Sequence, residues 1–559
     1  MAEPRSASST LPILLPCSLI LALALAPPET RGESAAGCAA LIALLALQAS
    51  ATRPAPVLSK ALLLLAALSW PIILVSAAPG KAIGPLAVWV LALAAGFGAA
   101  RLVTGNRTEG WIAGTLALAG ALAGLHGLVQ RFWTLPRLAA ELAQRTDIAY
   151  HQQILDRVLD GRAFGTFSTP AALGGFMALA LPVTLVLARQ AGGRNRALFS
   201  LAALLQVGGL VSAASATALI SLAVALALAG LIGLGSTGAR RLLLVAVLVV
   251  VTGGVLLALL RGAEILNPDH GNNPLRLRAG NIRIAGEMAA DHPWIGVGPG
   301  GYGERYPGYR MAGDNESMHV HNLPMELAAE FGIPAGSMLT VLFFVLFMAP
   351  LAGERHRRST SPTWRSGAAI GLAAFAIHNL ADYTAYMPSL LWMAALLLGT
   401  LIGTEDKKQG HRPQGLETAS LAVVVLAAVV TALGGLASNA RLDALAAEAR
   451  SEPVPALEFA ERAVALAPWD PDSRLLKVRL HLAGGSFPEA VAEADAVIRL
   501  APFRPSARGL RSLARQQSGD LTGAWSDALE AARLYPVDLD YRGRAAGLGQ
   551  VVQGGLPGD

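Results

Sequence analysis

The sequence predicts an all-α protein: a polytopic transmembrane helix bundle of about 13 spans, followed by a solenoid of short helix pairs. Composition and one periodicity predict it. Hydrophobic residues make up 53% of the 559, and charged residues 15%, where a soluble domain carries about a quarter charged. The apolar residues gather in blocks up to residue 438. Beyond it the chain turns charged, Ala-rich and amphipathic, and repeats itself. The domains expected are therefore 1–438 in the membrane and 439–559 outside it.

A helix needs about 20 apolar residues to cross the hydrocarbon core. Such blocks centre on Leu11–Ala26, Ala35–Gln48, Leu58–Ala78, Ala82–Ala100, Trp111–Val129, Pro170–Ala188 and Ala197–Ser212. Thr217–Leu234, Leu242–Leu260, Ile333–Leu351, Gly367–Tyr383, Pro388–Ile402 and Leu416–Leu436 complete the set. Pro27 directly after Ala24-Leu25-Ala26 disfavours cleavage, so the first block reads as a retained span rather than a signal peptide. Cys17 and Cys38 fall inside apolar blocks and read as packing residues.

The loops orient the bundle. With the N-terminus cytoplasmic, the loops on that side carry Arg53 and Lys60; Arg101 and Arg107; Arg189, Arg194 and Arg196; and Arg240 and Arg241. The next two carry Arg355, Arg357, Arg358 and Arg365, then Lys407, Lys408 and Arg412. Every one is basic, as the positive-inside rule asks. Two long loops, 130–169 and 261–332, and everything after residue 438 then lie outside.

In the tail, Pro468, Pro502 and Pro536 recur at intervals of 34 residues. Leu466, Leu500 and Leu534 keep the same step, as do Ala460, Ala494 and Ala528, and Ala456, Ala490 and Ala524. A 34-residue period with small residues at helix-packing positions and Pro at the helix end resembles the tetratricopeptide repeat. Such a tail serves as a docking surface for a protein or glycan partner, or as a stabilising cap.

The second outside loop carries the chemistry. It holds four of the ten histidines, His270, His292, His319 and His321, with Arg276, Arg278, Arg283, Arg305 and Arg310. Arginines outside oppose the positive-inside trend, and binding an anion explains them. The planar guanidinium donates two parallel hydrogen bonds to phosphate and never loses its charge. The run Gly296 to Gly301 offers backbone for a turn or for close approach to a ligand, and lacks the Lys and Ser/Thr of a phosphate-binding P-loop. His321 stands just before an apolar helix, where a neutral imidazole can take a proton from a sugar hydroxyl or simply start the helix. Zinc is disfavoured at His319 and His321: no Cys is near, and the spacing is not that of helical ligands.

These residues resemble the O-antigen ligase/polymerase family of bacterial envelope glycan enzymes. The resemblance rests on Arg278, the Asp291-His292-Pro293 turn, Gly296 and Gly298, and His321-Asn322 with Gly332. Gly165-Thr166-Phe167 with Pro170, and His378, Asp382 and Pro388, add weaker echoes. It implies a glycosyltransferase that moves a glycan from a polyprenyl-diphosphate-linked donor to an acceptor hydroxyl on lipid, polysaccharide or protein. The reaction would run on the periplasmic side of a bacterial inner membrane, without cofactor, metal or nucleic acid. By the same resemblance His321 is the general base and Arg278 binds the diphosphate. Arg276, Arg283, His319, Asn322 and Gly298 are the accompanying substrate-binding candidates. The chain departs from the family in two places. Ser212 to Thr217 lacks the usual Arg after a Ser, and Gly336 comes one place late after Gly332. Arg131, Arg137, Arg145, Arg157 and Arg162 in the first outside loop are candidate substitutes, beside Phe132, Trp133 and Tyr150, which suit an interface or a sugar face. A flippase for lipid-linked sugars, and a scaffold with an altered catalytic loop, are the competing readings.

Overall fold

In lipid only an element that satisfies its own backbone survives, so apolar blocks of this length fold as helices. The computed structural model describes residues 11–52, 76–103, 106–144, 158–232, 237–267, 273–356, 363–403 and 414–554. Residues Leu58 to Val75 of the third block lie outside them, as do Arg53, Lys60, Arg145, Tyr150, Arg157, His270, Arg357, Arg358, Lys407, Lys408 and Arg412.

Among the described residues every regular element is helical. The membrane part comprises α1 (Leu11–Leu25), α2 (Gly32–Thr52), α3 (Pro79–Leu102), α4 (Asn106–Val129), α5 (Leu135–Leu142), α6 (Pro170–Gln190), α7 (Gly193–Ala213), α8 (Ala216–Ile232) and α9 (Thr237–Leu266). Two helices stand inside the 261–332 loop, α10 (Pro274–Asp291) and α11 (Gly301–Tyr309). Then come α12 (Leu323–His356), α13 (Trp364–His378), α14 (Pro388–Gly403) and α15 (Gln414–Ala449). Every sequence block but Leu58–Ala78 falls on one of these helices. Among the described residues, seven helices are long and apolar enough to cross a membrane, including α3, α6, α7 and α12. The chain is a multi-pass membrane protein. Large apolar side chains stand exposed along the helices, including Leu204, Leu244, Leu248, Leu259, Val341, Leu342 and Val345, as a lipid-facing surface requires.

Small residues set the closest crossings. A β-carbon at Gly399 of α14 would collide with the Gly96 carbonyl of α3, and one at Gly403 with that of Ala100. Gly367 and Gly371 of α13 meet Pro182 and Leu179 of α6 in the same way. Both pairs are four residues apart, the spacing that lets membrane helices touch through their backbones. Gly399→Leu is expected to lower the thermal transition in detergent, by overpacking that costs about 1–3 kcal/mol or more. An unchanged transition would show that the two helices do not meet there.

α15 runs unbroken through residue 438 and packs on α16. Beyond it α16 (Pro453–Leu466), α18 (Phe487–Leu500) and α20 (Leu521–Leu534) alternate with α17 (Pro471–Ala483), α19 (Pro505–Gln517) and α21 (Leu539–Gly554). Successive pairs start 34 residues apart. Ala456 and Ala460, Ala490 and Ala494, and Ala524 and Ala528 are all buried, so each pair covers its apolar face with its neighbour.

Candidate active site

The site starts from two helix ends in the 261–332 loop. Asn273 caps α10 by accepting from the Leu275 and Arg276 amides, and Pro274 opens the first turn. Arg278 therefore sits on a rigid helix rather than on a loose loop. α12 breaks at Gly332, whose φ of 78° suits glycine, and a β-carbon there would collide with Trp294. The break frees helical carbonyls. Ala329 O and Glu330 O accept from Val297 N and Gly298 N, at 2.9 and 2.8 Å. A β-carbon at Gly336 would meet Leu327 O at 2.5 Å, so the shifted glycine still serves a close approach within the broken helix.

The centre is Asp382, whose side chain is 1% exposed, four residues after His378 at the end of α13. Its carboxylate faces Arg278 Nη2 at 3.7 Å, His321 Nδ1 at 3.8 Å and His378 Nε2 at 3.9 Å. One of its oxygens also accepts from Tyr383 N at 2.9 Å. Two residues more than 40 positions apart in the 261–332 loop thus meet a carboxylate from between two later helices. His321 is held with φ at 59°, in the left-handed region that a histidine rarely adopts. Such strain persists where the surroundings over-determine it, and it concentrates at functional positions. The surroundings here are visible. Asn322 Nδ2 donates to Leu380 O at 2.7 Å, its Oδ1 caps Met325 N, and Leu323 N donates to Asn379 O. These bonds tie the His321 turn to the segment that carries Asp382.

With Nδ1 turned to Asp382, the Nε2 of His321 is the atom left for a substrate proton. Burial pushes the His321 imidazole below its ordinary range; Asp382 opposes the shift and Arg278 adds to it. A histidine kept neutral at pH 7 is suited to act as a base.

His319 stands beside this group. Its Nδ1 lies 2.6 Å from Oε1 of the fully buried Glu326, and its ring stacks on Tyr383 at 4.3 Å. His321 meets the same Tyr383 edge-on at 4.7 Å. The remaining sequence candidates sit apart in their contacts. Arg283 is bound to Glu287 and Asp314, at 2.8 and 2.6 Å. Arg276 is exposed and lines a cleft of about 240 Å³ with Asp314 and Asn315. Gly298 is buried, its amide engaged by Glu330 and its Cα face against Ser76. Its observed part is to join the loop to α12. Tyr383 and Glu326 lie outside the sequence candidates, and Asp382 entered only as an echo of the resemblance, with no role in the site. The readable signal for Asp382 is its spacing of four from His378, two ionisable groups at the edge of an apolar helix.

Residues 201–340 match the family model described as O-Antigen ligase. No curated protein matches the chain. The O-antigen ligase match holds α8 to α11 with parts of α7 and α12. It therefore contains Arg276, Arg278, Arg283, Gly298, His319, His321 and Asn322, whereas His378 and Asp382 lie beyond it. It also contains the turn from Ser212 to Thr217 that lacks an Arg. Two guanidiniums of the 130–169 loop reach that turn. Arg131 Nη1 donates to Gly161 O at 2.6 Å and to Ser212 O at 3.4 Å, and Arg162 Nε donates to Ala213 O at 3.3 Å. Cations at the C-terminus of α7 complement its dipole. Gly174 of α6 abuts the same turn, where a β-carbon would meet Ser215, and a β-carbon at its neighbour Gly175 would meet His378 Nε2 at 3.3 Å. Arg137 instead lies over the Trp133 ring at 3.9 Å.

Proposed function

We propose that this chain is a membrane glycosyltransferase that moves a glycan from a polyprenyl-diphosphate-linked donor to an acceptor hydroxyl. The reading includes about 13 spans, a bacterial inner membrane, a cytoplasmic N-terminus and a periplasmic tetratricopeptide-like tail over residues 439–559. The O-antigen ligase match supports the family. The observation that carries the chemistry is the meeting of Arg278 and His321 on buried Asp382.

In the reaction, the acceptor oxygen forms a bond to the anomeric carbon of the glycan. The bond from that carbon to the diphosphate oxygen breaks, and its electron pair leaves with the diphosphate. His321 Nε2 takes the hydroxyl proton. Asp382 holds the imidazole and stabilises the imidazolium that forms. Arg278 neutralises charge growing on the leaving group, where a fixed donor acts most strongly. A second cation near the leaving group comes from Arg131 or Arg162 at the 212–217 turn. The acceptor is a lipid, a growing polysaccharide or a protein. The tail partner in this reading is a protein or glycan.

Arg278→Lys tests the leaving-group role, because a point charge replaces a fork. Transfer by the purified variant is expected to fall about ten- to a hundredfold. Wild-type rates in the Lys variant would remove bidentate recognition from the account.

A further inference from the structure

The repeat places one residue against its own pattern. Two positions after each repeat proline stand Asp470, Arg504 and Asp538. Asp470 caps α17 through the Asp472 and Ser473 amides, and Asp538 accepts from the Asp540 and Tyr541 amides. Arg504 occupies the same position ahead of α19 and makes no cap. An Asp there would satisfy the helix start; the arginine gives that up and reaches elsewhere.

It reaches the outside loop. Arg504 Nε donates to Glu304 Oε2 at 2.9 Å, and its Nη2 pairs with the other oxygen of the same carboxylate. Its Nη1 donates to Asp472 at 2.5 Å. Arg504 is 9% exposed and Glu304 4%. Asp472 also pairs with Lys81 in the first turn of α3, and with Arg441 in α15 at 3.3 Å. Burial alone would raise the Asp472 carboxyl, but Lys81, Arg504 and Arg441 hold it well below the usual carboxylate range. Beside this network the Arg305 guanidinium lies over the Phe503 ring at 3.6 Å.

Glu304 belongs to α11, and α11 is built onto α10. Tyr302 Oη donates to Asn281 O at 3.2 Å, and Tyr306 Oη to Asn281 Oδ1 at 3.3 Å. Asn281 is 1% exposed and lies one turn along α10 from Arg278. From the guanidinium of Arg504 to the helix of Arg278 the contacts are thus continuous and buried, charge-assisted at Glu304 and neutral from Tyr302 and Tyr306 to Asn281.

We infer that Arg504 is a positioning residue, through which the C-terminal helices fix α11 and, behind it, the helix that carries Arg278. This rests on the glycosyltransferase reading for its effect on rate, but not for its effect on the loop. The tail acts inward on the site, as a brace, whatever else its other faces bind.

The test uses the full-length protein in detergent or lipid, with Arg504→Met, Arg504→Lys and the milder Glu304→Gln. Amide exchange is followed in residues 301–309 and 274–291, with 388–403 as the internal reference, and transfer is measured as kcat and KM. The inference expects faster exchange in 301–309 and 274–291, and not in 388–403. It also expects a kcat for Arg504→Met and Glu304→Gln lower by roughly tenfold, an intermediate value for Arg504→Lys, and little change in acceptor KM. Unchanged exchange in 274–291 would overturn it. So would an unchanged kcat, or equal loosening of 388–403, which would assign Arg504 to overall stability. If the wild type transfers nothing, the glycosyltransferase reading fails, and the exchange comparison still decides the brace.

Discussion

Replacing His321 is expected to lower transfer about 10²–10⁴-fold, while the protein still inserts and melts as the wild type does. Asn is the better substitution beside Ala, because it tolerates the left-handed backbone that position 321 requires. His321→Asn keeps the turn that joins α12 to the Asp382 segment and removes only the base. The wild-type rate carries its own signature. A base acts when neutral, so the rate rises with pH through the His321 value and is flat above it. Burial and Arg278 outweigh Asp382 and put that value below the ordinary 6.5. The acid limb should therefore lie below pH 6.5, and it should vanish from the residual rate of His321→Asn. Wild-type transfer by that variant would take His321 out of the mechanism.

Asp382→Asn is expected to be nearly as damaging, with a loss of about 10²–10⁴-fold in kcat. The side chain keeps its shape and loses the charge that faces Arg278, His321 and His378. Two consequences separate this from simple misfolding. Asp382 raises the His321 value, so without it the acid limb moves to still lower pH. Arg278→Lys in the same background should then cost less than it does alone, because the two residues share one network. Independent, multiplying losses would mean that Asp382 and Arg278 do not act together.

The membrane helices were legible because burial in lipid imposes one requirement, a long apolar stretch, that composition alone displays. Their partners were not. Gly96, Ala100, Gly399 and Gly403 look like ordinary small residues until the helices cross. In the 261–332 loop, Arg278 and His321 stand out as ionisable residues between apolar spans. The helices that hold them do not, because α10 and α11 are short and polar along much of their surface. Asp382 shows as one weaker echo of the resemblance, beside His378 and Pro388; its centrality depends on α13 ending beside the His321 turn. The glycine run reads equally as a turn or a ligand cradle, and contacts with Ser76, Ala329 and Glu330 take up its backbone. The tail shows its 34-residue step plainly. Its grip on Glu304 is invisible there, since a salt bridge across 200 positions leaves no local pattern.

The most direct test mixes the purified wild-type protein with a polyprenyl-diphosphate-linked oligosaccharide and a panel of hydroxyl acceptors, and counts both products. The account predicts one free polyprenyl diphosphate for each glycan joined to an acceptor. A folded sample that releases none above a protein-free control, or that releases polyprenyl monophosphate instead, would contradict it.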